Sequence, residues 1–535
     1  MNRMPVILSG FLAPTDRLGA IFAAVLIAGI ATGSNASQAR EQSGPSLRIP
    51  ESRLAQAAAV MPGVDPSPSG SRASGLRIPP SWLAQANAQR VEEAAERQAV
   101  VPSPSGPGRP RSYTIPAMEI VGFDTLLNLI NRHIGGAGSS DYSANLTTAR
   151  NNLHGNWEVD NDPYKVNQIG HPYQGSMYHG FARSAGLSYW EAAAYTFAGS
   201  ALWEVAGERT PPSMNDQIAS GVAGSFFGEA LFRMANLVLE QGGGMSPFWR
   251  EWAATAISPS MGFNRRVMGY NSIFSSRGAP YYSRLSLGFS GATLNNAGSS
   301  TKARPGEALA DFSFDYGMPG QPGYGYTRAF DQFTFQATAS SANLFENVMT
   351  RGLLYGRTYE PRGNVRGVWG IYGSYDYIAP QTYRISTTAL SIGTTAQAWL
   401  TKDIAVQGTA LAGMGYAAVS TLHGAGEGDY HYGVTPQALL ALRLIFGNKA
   451  SLDVTGREYF VTGAGGVTPG HDNIVRIDLA FTWRVQGPHA ISIRYLGNRR
   501  DASYTTLGDR AQIRETVGIF YTFLGHDRFG AVEWR

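Results

Sequence analysis

Between Ser283 and Phe523 the chain repeats short runs in which aromatic or aliphatic residues alternate with polar or small ones, parted by Gly, Pro, Asn or Asp. Phe333, Phe335 and Ala337 alternate with Gln332, Thr334 and Gln336, and Ile477, Leu479, Phe481 and Trp483 with Arg476, Asp478, Ala480 and Thr482. A period of two puts one set on each face of a strand. Candidate strands lie near 283–290, 308–316, 329–339, 343–357, 365–377, 385–399, 404–420, 430–446, 450–462, 473–485, 489–496 and 513–523. Turn chemistry separates many of them, at 361–364, 447–449 and 486–488. No long helical pattern intervenes, so the expected element is a closed antiparallel barrel of about 12 strands. The Gly-rich stretches 421–428 and 463–472 read as its outward loops.

A period near 3.6 takes over upstream. Ile120, Phe123, Leu126, Leu127 and Ile130 recur at helical spacing within 116–133. Ser188 with Glu191, and Ser213 with Asp216 after Pro211 and Pro212, are capping boxes that open two more helices. Gly242 to Gly244 stop the second of these. Ser220, Gly224 and Gly228 form a small-residue side that lets two backbones approach. Segments 173–185, 190–206 and 215–239 are expected to make one compact cluster. The fold class is therefore α+β, with a helical module over 113–260 and a transmembrane-type barrel over 261–535.

The first 39 residues read as an export signal, with Arg3 and Arg17 ahead of an apolar run from Leu18 to Ala31 and small residues near Ser37. That run is short for a membrane-spanning helix, which needs roughly 20 residues. Residues 40–112 read as a Pro/Ser/Ala/Gly-rich linker in which Leu-Arg-Ile-Pro and Leu-Ala-Gln-Ala each occur twice. The duplicated elements offer contacts for periplasmic proteins or peptidoglycan. Charged residues are only 15% of the chain, with 64 Gly and 26 Tyr, a profile that suits membrane barrels. A scattered net charge of +4 points to no nucleic-acid partner. The absence of Cys excludes disulfides, thiolate metal sites and a lipid-modified N-terminal Cys. Outer-membrane barrels commonly end in an aromatic residue, whereas this chain reads Glu533-Trp534-Arg535, which counts against that location.

Polar residues of unusual context concentrate in the helical module. In order they include Trp157, Asp160, His171-Pro172-Tyr173, Arg183, Trp203-Glu204, Glu208, Pro212-Ser213, Asn215-Asp216, Gly228-Glu229 and Arg233. Over roughly Glu119 to Arg233 this string resembles a bacterial envelope family catalogued as domain of unknown function 3943. The resemblance implies a signal peptide, this helical module and a C-terminal β region in the cell envelope. It implies no mechanism.

Two main readings of these residues compete, with divalent-metal or ligand binding by a buried Glu pair and a His as a third that is not favoured. Arg183, Glu204, Asp216, Glu229 and Arg233 can form a structural polar network between packed helices. Alternatively His171, Glu204, Glu208 and Ser213 are candidates for lipid- or acyl-directed chemistry, since a His beside acids and a Ser can do acid–base or nucleophilic work. No Gly-x-Ser-x-Gly elbow, phosphate-cradling loop, dinucleotide fingerprint or His-Glu-x-x-His motif is present, and no cofactor or metal is expected. His423, His431 and His471, in or beside outward loops, read as solvated. The sequence thus predicts an outer-membrane protein, with the periplasm as the alternative location and membrane lipid as a partner. A structural or interaction role is favoured over an enzyme and over a passive channel.

Overall fold

The computed structural model describes residues 100–101, 110–134, 140–160, 162–242, 245–271, 273–298, 303–420, 427–463, 469–505 and 508–534. The expected export signal, most of the expected linker, His423 and the segments 421–426 and 464–468 lie outside the described residues.

The barrel strands are β3 (Tyr281–Asn296), β4 (Gly306–Tyr316), β5 (Phe333–Ser340), β6 (Asn347–Arg362), β7 (Val365–Ile378), β8 (Ile385–Trp399), β9 (Ile404–Ser420), β10 (Tyr430–Phe446), β11 (Ala450–Thr462), β12 (Gly470–Gln486), β13 (His489–Tyr504) and β14 (Gly508–Leu524). Each pairs antiparallel with its sequence neighbour, and β14 pairs with β3 to close the ring. A two-stranded ribbon, β1 (Val100–Val101) with β2 (Ile273–Phe274), stands apart. Gly447 and Gly487 take positive φ of 54° in tight turns at one end, the turn rim, where β3 also starts and β14 ends. The connection 379–384 lies at the opposite end, the loop rim, where β9 and β11 also end. β13 runs on past residue 496 because its inward positions there are Asn498 and Arg500. An apolar alternation does not reveal such a segment.

Parity sorts the wall. Inward positions carry Arg284, Asp311, Arg443, Asp453, Asp478 and Arg494, joined in ion pairs. Outward positions carry Phe289, Trp369, Ile392, Leu440, Trp483, Ile493 and Ile519, all exposed. The lumen is shut at both ends. At the turn rim, residues 525–534 fold inward instead of continuing β14. Phe529 and Ala531 pack on Tyr282, Trp399 and Ile445, and Gln397 and Gln407 donate to the carbonyls of Val532 (2.6 Å) and Gly530 (2.7 Å). At the loop rim, Tyr383 reaches across to Asn498 (3.0 Å) within an apolar layer of Met349, Ile385, Val419, Tyr459 and Ile474. Between the plugs a cavity of about 140 Å³ is lined by Arg284, Arg351, Arg443, Arg457, Arg494 and three aspartates.

The helices are α1 (Thr114–Ile134), α2 (Leu146–His154), α3 (His171–Ser184), α4 (Tyr189–Leu202), α5 (Met214–Ile218), α6 (Gly224–Gln241), α7 (Pro247–Ile257) and α8 (Pro259–Phe263). Wider π turns lead into α3 (Val166–Gly170), extend α4 (Trp203–Gly207) and join α5 to α6 (Ala219–Ala223). Met214–Gln241 is consequently one rod of 28 residues. The small-residue side works as its spacing predicts. A Cβ on Gly224 would stand 2.6 Å from the Gly175 Cα, and one on Gly228 2.8 Å from the His179 Cβ, so α3 and α6 run parallel in close contact.

The helices dock on the barrel wall. They lie against the outer face of the wall. Cross-strand rows Tyr316–Phe333–Gly352–Gly373 and Phe314–Phe335–Thr350–Tyr375 have the same parity as exposed Trp369 and Ile371, yet are buried. Phe227 stacks on Phe335, and Gly373 leaves the space that Phe226 fills, since a Cβ there would be 2.4 Å from its ring. The rod starts at the loop rim, where Asn215 donates to Tyr432 (2.7 Å). It ends at the turn rim, where Glu240 accepts from Ser275 and Ser276 beside Tyr316.

Gly224→Val should force α3 and α6 apart, at a cost of about 1–3 kcal/mol. The expected outcome is a lower melting point of the helical circular-dichroism signal, with the barrel's heat-modifiable gel mobility retained.

Candidate functional site

Two polar centres lie inside the bundle, and they differ in charge balance. The first surrounds Glu229, fully buried on α6. Its carboxylate accepts from Arg183 Nε (2.8 Å), Arg233 Nε (2.8 Å) and His179 Nε2 (3.1 Å). Arg233 continues to Asp331 (3.0 Å) and the Ala329 carbonyl (2.5 Å), both in the β4–β5 connection. Asp331 also holds Arg328 (2.9 Å). Phe274 lies among these cations, its ring centre 4.9, 4.8 and 4.4 Å from the guanidinium carbons of Arg183, Arg233 and Arg328. The centre thus ties bundle to barrel through paired charges.

The second centre lies at the loop-rim end. Ser213 caps α5 by accepting from the Asp216 N–H (3.2 Å), as the capping box predicts. The reciprocal half of the box is different. The Ser213 N–H donates to Glu204 Oε2 (2.9 Å), not to Asp216, so the Asp216 carboxylate turns to His171 Nε2 (3.6 Å). His171 Nδ1 meets Ser220 Oγ (3.2 Å). Asp160 accepts from Asn167 (2.6 Å) and Asn215 (2.8 Å). Donor atoms of His171, Glu204 and Asp216 all lie within 4.8 Å of one another.

The π turns position this group. One immediately precedes His171, one contains Glu204 and one contains Ser220. Each widens its helix locally, a departure often met at functional sites.

The chemically suggestive residues therefore separate. Arg183, Glu229 and Arg233 share one centre, while Glu204 and Asp216 join His171 in the other. Glu208 leaves the helix with extended backbone and accepts from Trp203 Nε1 (2.7 Å) and Thr210 (3.1 Å). Burial and nearby Asp162 push its carboxyl up to about 7. Ser213 Oγ donates to Asn215 (2.8 Å) and has no hydrogen bond to His171. The hydroxyl beside His171 is that of Ser220, read from the sequence only as a small packing residue. Outside the bundle, His431 turns into the lumen onto Tyr504 (2.7 Å) and Asp472 (3.3 Å), and His471 stacks on Phe460.

Both centres fall within a single recognisable sequence unit, apart from the barrel residues they contact. Residues 156–260 match DUF3943, a domain of unknown function. The DUF3943 segment contains His171, His179, Arg183, Glu204, Asp216, Ser220, Glu229 and Arg233. No curated protein matches the chain. Among solved structures, it is similar to the outer membrane channel DcaP of Acinetobacter baumannii, at 7% identity and a TM-score of 0.22, over 46% of this chain and 96% of that one. KdgM porin aligns at 8% identity and 0.20, over 46% and 99%. Salmonella typhi OmpF aligns at 12% identity and 0.18, over 46% and 97%.

Glu229→Ala should strand Arg183 and Arg233 and cost about 3–5 kcal/mol. Glu208→Gln keeps an acceptor for Trp203 and should change the thermal midpoint little. Paired thermal melts of the two variants check this contrast.

Proposed function

We propose that the chain is an outer-membrane protein whose barrel and DUF3943 bundle share one bilayer, and that its role there is structural or interactive. The observation that carries this reading is the inside-out character of α1. Between Tyr113 and Ile130 its two charged residues, Glu119 and Asp124, are buried, while Met118, Val121, Leu126 and Leu129 are exposed. Asn264 and Tyr178 hydrogen-bond the buried acids. A water-facing helix has the opposite arrangement. Trp190, Phe197 and Leu202 likewise face outward from α4. α1 has 21 residues, ~32 Å at 1.5 Å per residue, close to the thickness of a bilayer core. Phe248, Trp249 and Trp252 on α7 add exposed aromatics suited to an interface.

The barrel's outward apolar residues fit the same solvent, and its inward ion pairs fit a sequestered lumen. Most turns at the rim where the strand series begins and ends are short, the β4–β5 connection excepted, which supports a periplasmic position for that rim by the usual barrel arrangement. A structural or interactive role suits a lumen crossed by packed residues near both rims and the paired charges around Glu229. Extraction should require detergent, and folded protein should show heat-modifiable mobility. The Cys-free chain also allows single spin labels. Labels at Leu126→Cys and Phe197→Cys should be relaxed by oxygen and shielded from a water-soluble nickel chelate. Nickel access at both positions would exclude a bundle in lipid.

The polar lumen, with five arginines around its cavity, favours one further reading, a gated channel. Full-length protein should be silent in planar bilayers. Under the structural reading, a chain ending at Gly525 should remain silent, held shut by the Tyr383 layer. Steady conductance on that truncation would favour the channel.

A further inference from the structure

The loop-rim centre of the bundle gathers several carboxylates without the guanidinium partners that other buried acids have. Glu229 has two guanidinium partners, Asp453 has Arg284 and Arg443, and Asp472 has Arg500. Glu204 and Asp216 are equally buried, with Asp160 beside them, and among the described residues no Arg or Lys pairs with any of the three. Among the described residues, His171 is the basic side chain beside them, 3.6 Å from Asp216. Buried carboxylates are ordinarily paired or bound to metal.

A second observation is independent of that charge count. Glu204 is 1% exposed and its Oε2 accepts from Ser213, but its Oε1 has no hydrogen-bond partner. That carboxylate belongs to the group whose donor atoms lie within 4.8 Å of one another. An orphaned oxygen beside a carboxylate and an imidazole suits a ligand shared by all three.

We infer that His171, Glu204 and Asp216 bind one divalent transition-metal cation, through an imidazole nitrogen and one oxygen from each acid. Two carboxylates balance the cation's charge. One nitrogen with two oxygens favours zinc or a neighbouring first-row metal over calcium, whose sites are built from oxygen. Ser220 on Nδ1 fixes the imidazole orientation, and Ser213 fixes Glu204, as outer partners do in metal sites. Three protein ligands leave a coordination position for water or a small ligand, the pattern of catalytic rather than structural zinc.

The test uses the full chain in detergent, stripped with EDTA, dialysed and given zinc alone. Metal content by mass spectrometry should approach one equivalent per chain, and the melting point should rise on zinc addition. Glu204→Gln and His171→Ala should each weaken zinc binding by at least about tenfold, a loss that removing even an outer partner of a metal ligand causes. Glu208→Gln should bind as the native chain does. Should either site variant fail to fold, judged by heat-modifiable mobility, the native zinc titration and melting shift decide alone. Substoichiometric uptake with no melting shift in folded native protein overturns the site. So does zinc binding undiminished in folded Glu204→Gln. Neither result depends on whether the bundle lies in lipid.

Discussion

A strand wall that is apolar outside needs a cover, and over one sector of this fold that cover is protein. What decides where the helices sit is the fit between α6 and that sector of the wall. Gly352 and Gly373 remove side chains from two adjacent strands, and the rings of Phe330 and Phe226 occupy the space. Glu229, Arg233 and Asp331 then join the same two bodies with paired charges. Packing brings the surfaces together, while the buried ions penalise any slip that would leave one of them unpaired. The position of α3, held to α6 by glycine contacts, follows from that of α6, and with it the position of His171.

The barrel was legible because a period of two is a property of each strand alone. Twelve candidate runs fall on the twelve closed strands, and the predicted turns at 447–449 and 486–488 sit between β10 and β11 and between β12 and β13. The docking of the bundle was not legible, for a physical reason. Phe335, which meets Phe227 of the bundle, has the same outward alternation as Ile491 and Ile493, which are exposed. Alternation records which side of a wall is apolar and is silent about what covers it. The helix over 114–134 was equally visible, but its polarity was not. Leu126 and Ile130 share the helical spacing that suggests a core, yet they face outward while Asp124 faces in.

The polar centres show a similar limit. His171, Glu204 and Asp216 stand out in the sequence by type and context. Their grouping depends on three π turns, each of which shifts the helical register, so that spacing counted on an ideal helix misplaces the side chains. Glu204 and Glu208 therefore do not share a helical face as a straight continuation would require. Ser220 escaped notice as a partner for His171 because its place in a small-residue stripe already explained it.

The segment after β14 has a consequence for the order of assembly. Residues 525–534 enter the lumen from the rim at which β14 ends, and they contact inward residues of β3, β8, β9, β10 and β13. Those residues come to surround one space only when β14 has met β3. The insertion of Phe529 is therefore a long-range, late event, contingent on a ring already formed. It acts as a latch on closure: before the seam pairs there is no socket to receive it, and afterwards its contacts oppose reopening of the seam.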